Sequence, residues 1–138
     1  MKTLGFVREA VDADIETIRD WLDRYPEVAS LSDNWHITLQ MYLTKGMLVF
    51  KEHDSELPVA YFWGDLAGID SVLEVRYDKR GQGIGREFVD YLIAKARDAG
   101  NHTLAIECAP HTSQEFWRRM GFTISREGNK LVGKRDLL

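Results

Sequence analysis

Residues 71–88 read Ser-Val-Leu-Glu-Val-Arg-Tyr-Asp-Lys-Arg-Gly-Gln-Gly-Ile-Gly-Arg-Glu-Phe, and this stretch determines the architecture of the chain. Its first part, residues 71–77, has the apolar and β-branched character of a buried strand. Apolar residues then recur at helical spacing, which predicts a helix over residues 83–99. The stretch therefore predicts a strand, a glycine-rich turn and a helix.

The predicted turn is suited to an anion. Glycines at 81, 83 and 85 allow positive φ angles and a close approach of backbone to a ligand. The first N–H groups of the following helix lack internal partners and carry the positive end of its dipole. Four basic residues crowd this part of an otherwise acidic chain, namely Arg76, Lys79, Arg80 and Arg86. A phosphate group would suit both features.

The spacing of the glycines indicates which known phosphate-binding motif the chain resembles. A P-loop requires Gly-Lys-Ser/Thr, whereas Gly85 is followed by Arg86 and Glu87. A dinucleotide fingerprint requires Gly-x-Gly-x-x-Gly, whereas only one residue separates the last two glycines here. The pattern Arg/Gln-x-x-Gly-x-Gly fits as Arg80-Gly81-Gln82-Gly83-Ile84-Gly85. For these six residues taken alone, a plain strand-to-helix turn is the alternative.

Composition is that of an ordinary globular chain. With 138 residues, 44% hydrophobic and 29% charged, we expect one domain over residues 1–138. No apolar run is long enough to cross a membrane, and the N-terminus lacks the apolar region of a signal peptide. One cysteine and a net charge of −4 predict a cytoplasmic protein without a nucleic-acid surface. Four scattered histidines lack ligand spacing, so we expect no metal site.

The rest of the chain predicts an α/β fold with a mixed sheet, in the order β-α-α-β-β-β-α-β-α-β-β. Strands are expected at 4–9, 47–51, 57–65, 71–77, 103–109, 122–125 and 130–134. Asp12 is expected to cap the first of two early helices, which ends at Pro26, and Ser32 or Asp33 is expected to cap the second, which ends at Gly46. The later helices are expected at 83–99 and 112–120. The strands at 47–51 and 57–65 are expected to form an antiparallel hairpin.

The glycine turn and this order of elements resemble the GNAT N-acetyltransferase superfamily, whose members hold the acetyl-CoA pyrophosphate with this turn. The resemblance covers nearly the whole chain and implies the GNAT acyl-CoA N-acyltransferase fold, with acetyl-CoA as cosubstrate. It also implies that the pantetheine arm adds to the sheet edge and that the Val75 N–H polarises the acetyl carbonyl. The implied cofactor-binding residues are Val75, Tyr77, Arg80, Gly81, Gln82, Gly83, Ile84, Gly85 and Arg86.

A second family signature is kept only in part. The family pattern Asn-x-x-Ala-x-x-x-Tyr-x-x-x-Gly-Phe ends here at Gly121-Phe122, with Trp117 at the tyrosine and Pro110 at the asparagine. The resemblance places Trp117 near the CoA sulfur. An indole N–H does not ionise usefully, so Trp117 would act by packing and excluding water, and not as a general acid.

The candidates for a general base are Asp70 and Glu74, since an amine must lose a proton before it attacks. Glu74 is next to Val75 and so nearest the expected acetyl group. The alternative for Glu74 is an ordinary ion-paired or solvated strand residue. Cys108 has no paired histidine and is expected in the core.

The sequence therefore predicts an acyltransferase that transfers an acetyl group directly from acetyl-CoA to a primary amine. Aromatic residues of the early helices are expected to wall the acceptor site, namely Trp21, Tyr25, Trp35 and Tyr42. The rival function is a non-catalytic acyl-CoA-binding or regulatory domain on the same fold. A nucleotide-phosphate binder would follow from the glycine turn alone. The acceptor and the oligomeric state stay open, with a homodimer among the options.

Overall fold

A computed structural model describes residues 3–24, 35–64, 71–108 and 113–137. The elements are β1 Gly5–Glu9, α1 Asp12–Arg24, α2 Trp35–Lys45, β2 Leu48–Glu52, β3 Pro58–Gly64, β4 Ser71–Val75, a 3-10 turn Tyr77–Lys79, α3 Ile84–Asp98, β5 Thr103–Glu107, α4 Gln114–Arg119, β6 Thr123–Glu127 and β7 Lys130–Asp136. The predicted order of strands and helices is confirmed. The central strand is shorter than predicted, because the chain enters the 3-10 turn at Tyr77.

The strands form two sheets, one with the order β1-β2-β3-β4 and the other with the order β5-β7-β6. The chain divides into two compact units, Met1–Trp63 with Leu73–Phe88, and Gly64–Val72 with Val89–Leu138. The glycine turn and most of β4 lie in the first unit. Among the described residues, no helix is long and apolar enough to cross a membrane.

The first sheet has an apolar core beneath α3. β2 pairs antiparallel with both β1 and β3, which confirms the predicted hairpin, and its register shifts between Phe50 and Lys51. Phe88, in the second turn of α3, is fully buried, with ring centroids 6.1 Å from Phe50 and 6.4 Å from Phe62. Burial of this side chain contributes roughly 2–3 kcal/mol and fixes the start of α3 against the sheet.

The residue that caps α1 differs from the sequence prediction, although the helix begins at Asp12 as expected. The carboxylate that reaches back to the helix end is that of Asp14, which accepts a hydrogen bond from the Val11 N–H at 2.9 Å. Asp14 is buried and is also paired with Arg8 at 2.8 Å. Asp12, the predicted cap, instead accepts a hydrogen bond from the Tyr42 hydroxyl at 2.6 Å. A side chain two residues into a helix can cap it in this way, because it faces back toward the free N–H groups.

The second unit has its core along β7, which pairs antiparallel with β5 and β6. A Cβ at Gly133 would lie 3.2 Å from side chains of Ile106 and Ile124, so these side chains pack closely over the backbone of β7. Cys108 is buried, as predicted, and burial raises the pKa of its thiol above the usual value. A raised pKa disfavours the thiolate, which agrees with a core role for this cysteine.

Candidate active site

Two of the three glycines in the turn have the backbone conformation that the sequence predicts, whereas Gly85 lies in the first turn of α3 without a positive φ. Gly81 has φ of 79° and Gly83 has φ of 94°, in the left-handed region that side chains disfavour. A Cβ at Gly83 would also lie 3.3 Å from Cδ1 of Leu4, whereas a Cβ at Gly81 would meet no atom within 4 Å. The backbone conformation therefore favours glycine at position 83, and an added side chain would also crowd Leu4.

The start of α3 presents backbone donors to this turn. The first hydrogen bond of the helix runs from the Glu87 N–H to the Gly83 carbonyl at 3.1 Å. The N–H groups of Ile84, Gly85 and Arg86 precede that bond, so they have no partner within the helix. The Glu87 carboxylate accepts a hydrogen bond from the Leu4 N–H at 2.7 Å, which ties β1 to the first turn of α3. This geometry is that of an anion-binding helix end.

Three of the four basic residues near the turn are already in ion pairs. Arg76 pairs with Asp78 at 2.6 Å, Lys79 with Glu52 at 3.0 Å, and Arg80 with Glu74 at 3.0 Å. The hydrogen bond from Arg76 is the main cause of a lowered pKa at Asp78. Within the described ranges, Arg86 is the member of this cluster with no ion pair or side-chain hydrogen bond, and it is exposed. Positive charge that is free to meet an anion is therefore concentrated at Arg86.

Glu74 is buried and paired. Only 1% of its side chain is exposed, against 37% of the Arg80 side chain. The same guanidinium donates from Nε to the Val75 carbonyl at 2.9 Å and lies 5.9 Å from the centre of the Tyr77 ring. The structure thus brings Glu74, Val75, Tyr77 and Arg80 together through one side chain.

Tyr61 of β3 lies near Glu74 in the first unit, and side chains of α1 and α2 lie near Tyr61. Burial raises the pKa of the Tyr61 hydroxyl well above its usual value, the charge of Glu74 raises it further, and nearby Thr38 lowers it. No described residue meets this hydroxyl at good hydrogen-bonding geometry. Trp21 packs on Tyr61 with ring centroids 6.0 Å apart. Sequence reasoning selected Trp21 but missed Tyr61, because an aromatic residue in a strand is the expected core residue.

Further residues of α2 include Thr38, which is near Tyr61, and the predicted acceptor-site residues Trp35 and Tyr42. Thr38, the buried residue of α2, accepts a hydrogen bond from Trp63 Nε1 at 3.2 Å. Trp35 is half-buried, and Tyr42 is engaged with Asp12, whose hydrogen bond raises the pKa of the tyrosine hydroxyl. Several predicted residues lie outside the described ranges, namely Tyr25, Pro26, Ser32, Asp33, Asp70 and Pro110.

Trp117 lies in the second unit, in α4, and is buried there. Its ring meets Phe116 edge to face at 5.0 Å and Phe122 edge to face at 5.1 Å. These contacts explain why an aromatic residue is required at this position of the short helix. Phe116 itself is half-buried and packs against the Trp117 ring.

The fold and the glycine turn together are those of an acyl-CoA acyltransferase, and comparison with known families agrees. The model of the Acetyltransferase (GNAT) family matches residues 15–122. This match covers more than half of the 138 residues, and the chain belongs to the GNAT acetyltransferase family. Comparison with curated proteins gave no match.

Solved structures share the fold over nearly the whole chain. A GCN5-related N-acetyltransferase from Rhodopseudomonas palustris has a TM-score of 0.78 and 14% identity, covering 99% of this chain and 98% of that one. The protein yncA from Salmonella typhimurium, solved with its cofactor acetyl-CoA, has a TM-score of 0.63 and 21% identity, covering 99% of this chain and 95% of that one. YhbS from Escherichia coli, a GNAT family N-acetyltransferase in complex with CoA, has a TM-score of 0.69 and 18% identity over 100% and 84%.

Proposed function

We propose that this chain is an N-acetyltransferase that transfers an acetyl group directly from acetyl-CoA to a primary amine. The observation that carries the proposal is the turn at residues 81–86, where two glycines with positive φ precede the free N–H groups of a helix. The turn occurs in a chain of the GNAT family. The resemblance to that family implies that the turn holds the CoA pyrophosphate. Two solved structures of the same fold contain acetyl-CoA or CoA.

The residues of the turn fit a pyrophosphate. Backbone N–H groups from Gly81 to Arg86 would hold its oxygens, and the exposed Arg86 would add charge-assisted contacts. Val75 and Tyr77 lie immediately before the turn, where the pantetheine arm would follow strand β4. Acetyl-CoA supplies the acetyl group as a thioester when it is bound.

The transfer requires an uncharged amine. A lysine-like amine has a pKa near ~10.4, so deprotonation at pH 7 is uphill by roughly 4–5 kcal/mol. We propose that the Glu74 carboxylate accepts this proton, directly or through water, as the amine nitrogen bonds to the acetyl carbon. The carbon–sulfur bond then breaks and the thiolate takes a proton from water. Asp70 remains the second candidate for the base, and Trp117 is proposed to pack near the sulfur and keep water away.

A non-catalytic acyl-CoA-binding domain is the second candidate function. Two observations favour it, namely the tryptophan at position 117 and the ion pair that engages Glu74. A binding domain would need the glycine turn but would need neither a free carboxylate base nor a general acid. The single cysteine supports a cytoplasmic location for either function.

The two functions are separated by measuring thiol release from acetyl-CoA across a panel of primary amines. The panel contains a polyamine, free lysine, a peptide α-amine and an aminoglycoside, and thermal unfolding is followed with and without acetyl-CoA. Thiol release that depends on one class of amine supports the transferase. Stabilisation by acetyl-CoA without thiol release for any amine supports the binding domain, and stabilisation by ATP alone contradicts both.

A further inference from the structure

The side chain of Arg80 is directed at strand β4. Its Nη2 donates to Oε1 of Glu74 at 3.0 Å, and its Nε donates to the carbonyl oxygen of Val75 at 2.9 Å. Two edges of one planar guanidinium therefore contact two consecutive residues of the strand. Tyr77 lies under the same group at 5.9 Å, so Arg80 is braced from a third side.

Burial makes the pairing of Glu74 energetically important. A carboxylate that is 99% removed from solvent is costly unless a cation or hydrogen-bond donors compensate its charge. The guanidinium is suited to this task, because its donors form a rigid fork and it stays protonated. If Arg80 turned away to bind a phosphate, it would leave a buried carboxylate without this cation.

Arg86 offers the contrasting case in the same turn. Its side chain is exposed, and within the described part of the chain it makes no ion pair that would have to be broken. It stands at the third position of α3, beside backbone N–H groups that have no helical partner. Contact between Arg86 and an anion therefore costs little desolvation and no lost ion pair.

We propose that Arg80 is a positioning residue, which orients Glu74 and keeps it negatively charged toward a cationic amine, and that phosphate binding falls to Arg86 and the turn backbone. This inference rests on the proposed acetyltransferase function, since it gives Glu74 a substrate to meet. It assigns the two arginines of the Arg-Gly-Gln-Gly-Ile-Gly-Arg segment to different ligands. Arg80 serves the acceptor side and Arg86 serves the cofactor side.

The test compares Arg80→Gln, Arg80→Lys and Arg86→Gln, with Arg119→Gln as a control. Arg119 is an exposed residue of α4, and its replacement removes the same unit of charge far along the chain. For each variant we measure the acetyl-CoA Kd at low and high salt, the kcat and KM for the amine, and the pH dependence of kcat/KM.

Arg86→Gln is expected to weaken acetyl-CoA binding roughly tenfold and to reduce its salt dependence. Arg80→Gln is expected to leave this Kd within about twofold but to lower kcat/KM for the amine roughly tenfold or more. The acid limb of the kcat/KM profile of Arg80→Gln should also move to higher pH, because removing a neighbouring cation raises the pKa of a carboxyl group. Tyr61, a titratable group near Glu74, does not contribute to that limb, since burial keeps it protonated. Arg80→Lys should restore part of the loss.

The opposite result is equally specific. If Arg80→Gln weakens acetyl-CoA as much as Arg86→Gln and leaves the acid limb in place, Arg80 is a phosphate ligand and the inference is wrong. Should Arg80→Gln fail to fold, Arg80→Lys and the double variant Arg80→Gln/Glu74→Gln decide, because the double variant should lose little activity beyond Glu74→Gln alone. Absence of turnover in the natural protein would count against the proposed function, while the Kd comparison would still test the assignment of the two arginines.

Discussion

The N–H of Phe122 donates a hydrogen bond to the carbonyl of Trp117 at 3.0 Å, and the two rings meet edge to face at 5.1 Å. The Gly121 N–H donates to the Arg118 carbonyl at 2.9 Å, and Gly121 has φ of 90°. These contacts form a Schellman motif that ends α4, with its usual apolar contact between the rings. The Gly-Phe pair of the family signature thus has a structural role, and Trp117 takes part in it.

The first prediction concerns Trp117. Trp117→Tyr should change turnover by less than about tenfold, or ~1.4 kcal/mol, because a CoA thiolate can take its proton from water. Trp117→Ala should cost about 3–5 kcal/mol of unfolding free energy, since it removes the ring contacts with Phe116 and Phe122. Steady-state kinetics and urea unfolding measure the two effects. A hundredfold rise in turnover for Trp117→Tyr would show that the natural protein lacks a general acid.

The second prediction concerns Gly121. Gly121→Ala should cost about 1–2 kcal/mol of unfolding free energy, because alanine disfavours the left-handed backbone at this position. A further loss is expected from contact between the added methyl group and a neighbouring side chain. The added Cβ would lie 3.3 Å from the guanidinium of Arg135, which donates to the Met120 carbonyl at 2.6 Å. Gly128→Ala is the matched control, because Gly128 also has a positive φ, of 66°, but an added Cβ there would meet no atom within 4 Å. Equal losses in the two variants, measured by urea unfolding, would show that the Arg135 contact is without consequence.

Much of the fold could be predicted from the sequence because its signals are local. Turn glycines and the spacing of apolar residues are properties of short segments, and the glycines at 81 and 83 have the φ angles that the motif requires. The capping residue of α1 could not be chosen from the sequence, because Asp12 and Asp14 are both good capping residues by type. Asp14 is placed at the helix end by an ion pair with Arg8 of β1 and by Lys51 of β2, whose Nζ lies 3.9 Å from its carboxylate. Both partners come from strands and cannot be read from the helix sequence.

The candidate site was predictable only in part for a similar reason. Four basic residues lie close together in the sequence, and this predicted an anion site. Three of them are in ion pairs, with acidic partners from β2, β4 and the 3-10 turn. Burial of Glu74 beside Tyr61 depends on strand pairing, which no short pattern reveals. The sequence therefore identified Glu74 as the residue of interest without showing that Arg80 holds it.

The third prediction tests the cofactor site. Acetyl-CoA at 100 times its Kd should add ~2.7 kcal/mol of stability to the natural protein. Gly83→Glu should abolish this gain, because bulk and negative charge would stand where the pyrophosphate binds. Gly81→Ala is the control for backbone strain. Gly81 also has a positive φ, of 79°, but a Cβ added there would meet no protein atom within 4 Å. A full thermal shift in Gly83→Glu would place the phosphate site elsewhere.

The fourth prediction tests Glu74 as the base. Glu74→Gln should lower turnover roughly 100-fold at neutral pH, where most of the amine is protonated. The loss should shrink as pH rises toward the pKa of the amine, because the free base then forms without help. Initial rates from about pH 6 to 10 measure this convergence. A constant ratio across that range would return Glu74 to a structural role and leave Asp70 as the candidate base.

The last prediction concerns Tyr61, whose hydroxyl is buried beside Glu74. Burial raises the pKa of this hydroxyl, so the folded protein holds the neutral phenol while the unfolded chain ionises near ~10. The stability due to the neutral phenol is thus fully present below about pH 10 and is lost as pH rises toward the folded pKa. Tyr61→Phe has no such group, so its unfolding free energy should fall less steeply above pH 10, by up to ~1.4 kcal/mol per pH unit.

Urea unfolding of the natural protein and Tyr61→Phe between about pH 7 and 11 measures this difference. At neutral pH the variant should match the natural protein within about 1 kcal/mol, because the lost hydroxyl has no well-placed partner among the described residues. Tyr91→Phe is the control, since it removes a hydroxyl from a side chain that is 40% exposed. Parallel curves for the natural protein and Tyr61→Phe above pH 10 would mean that Tyr61 is not held neutral by the fold. A loss of 2 kcal/mol or more at pH 7 would mean instead that the hydroxyl has a strong hydrogen-bond partner.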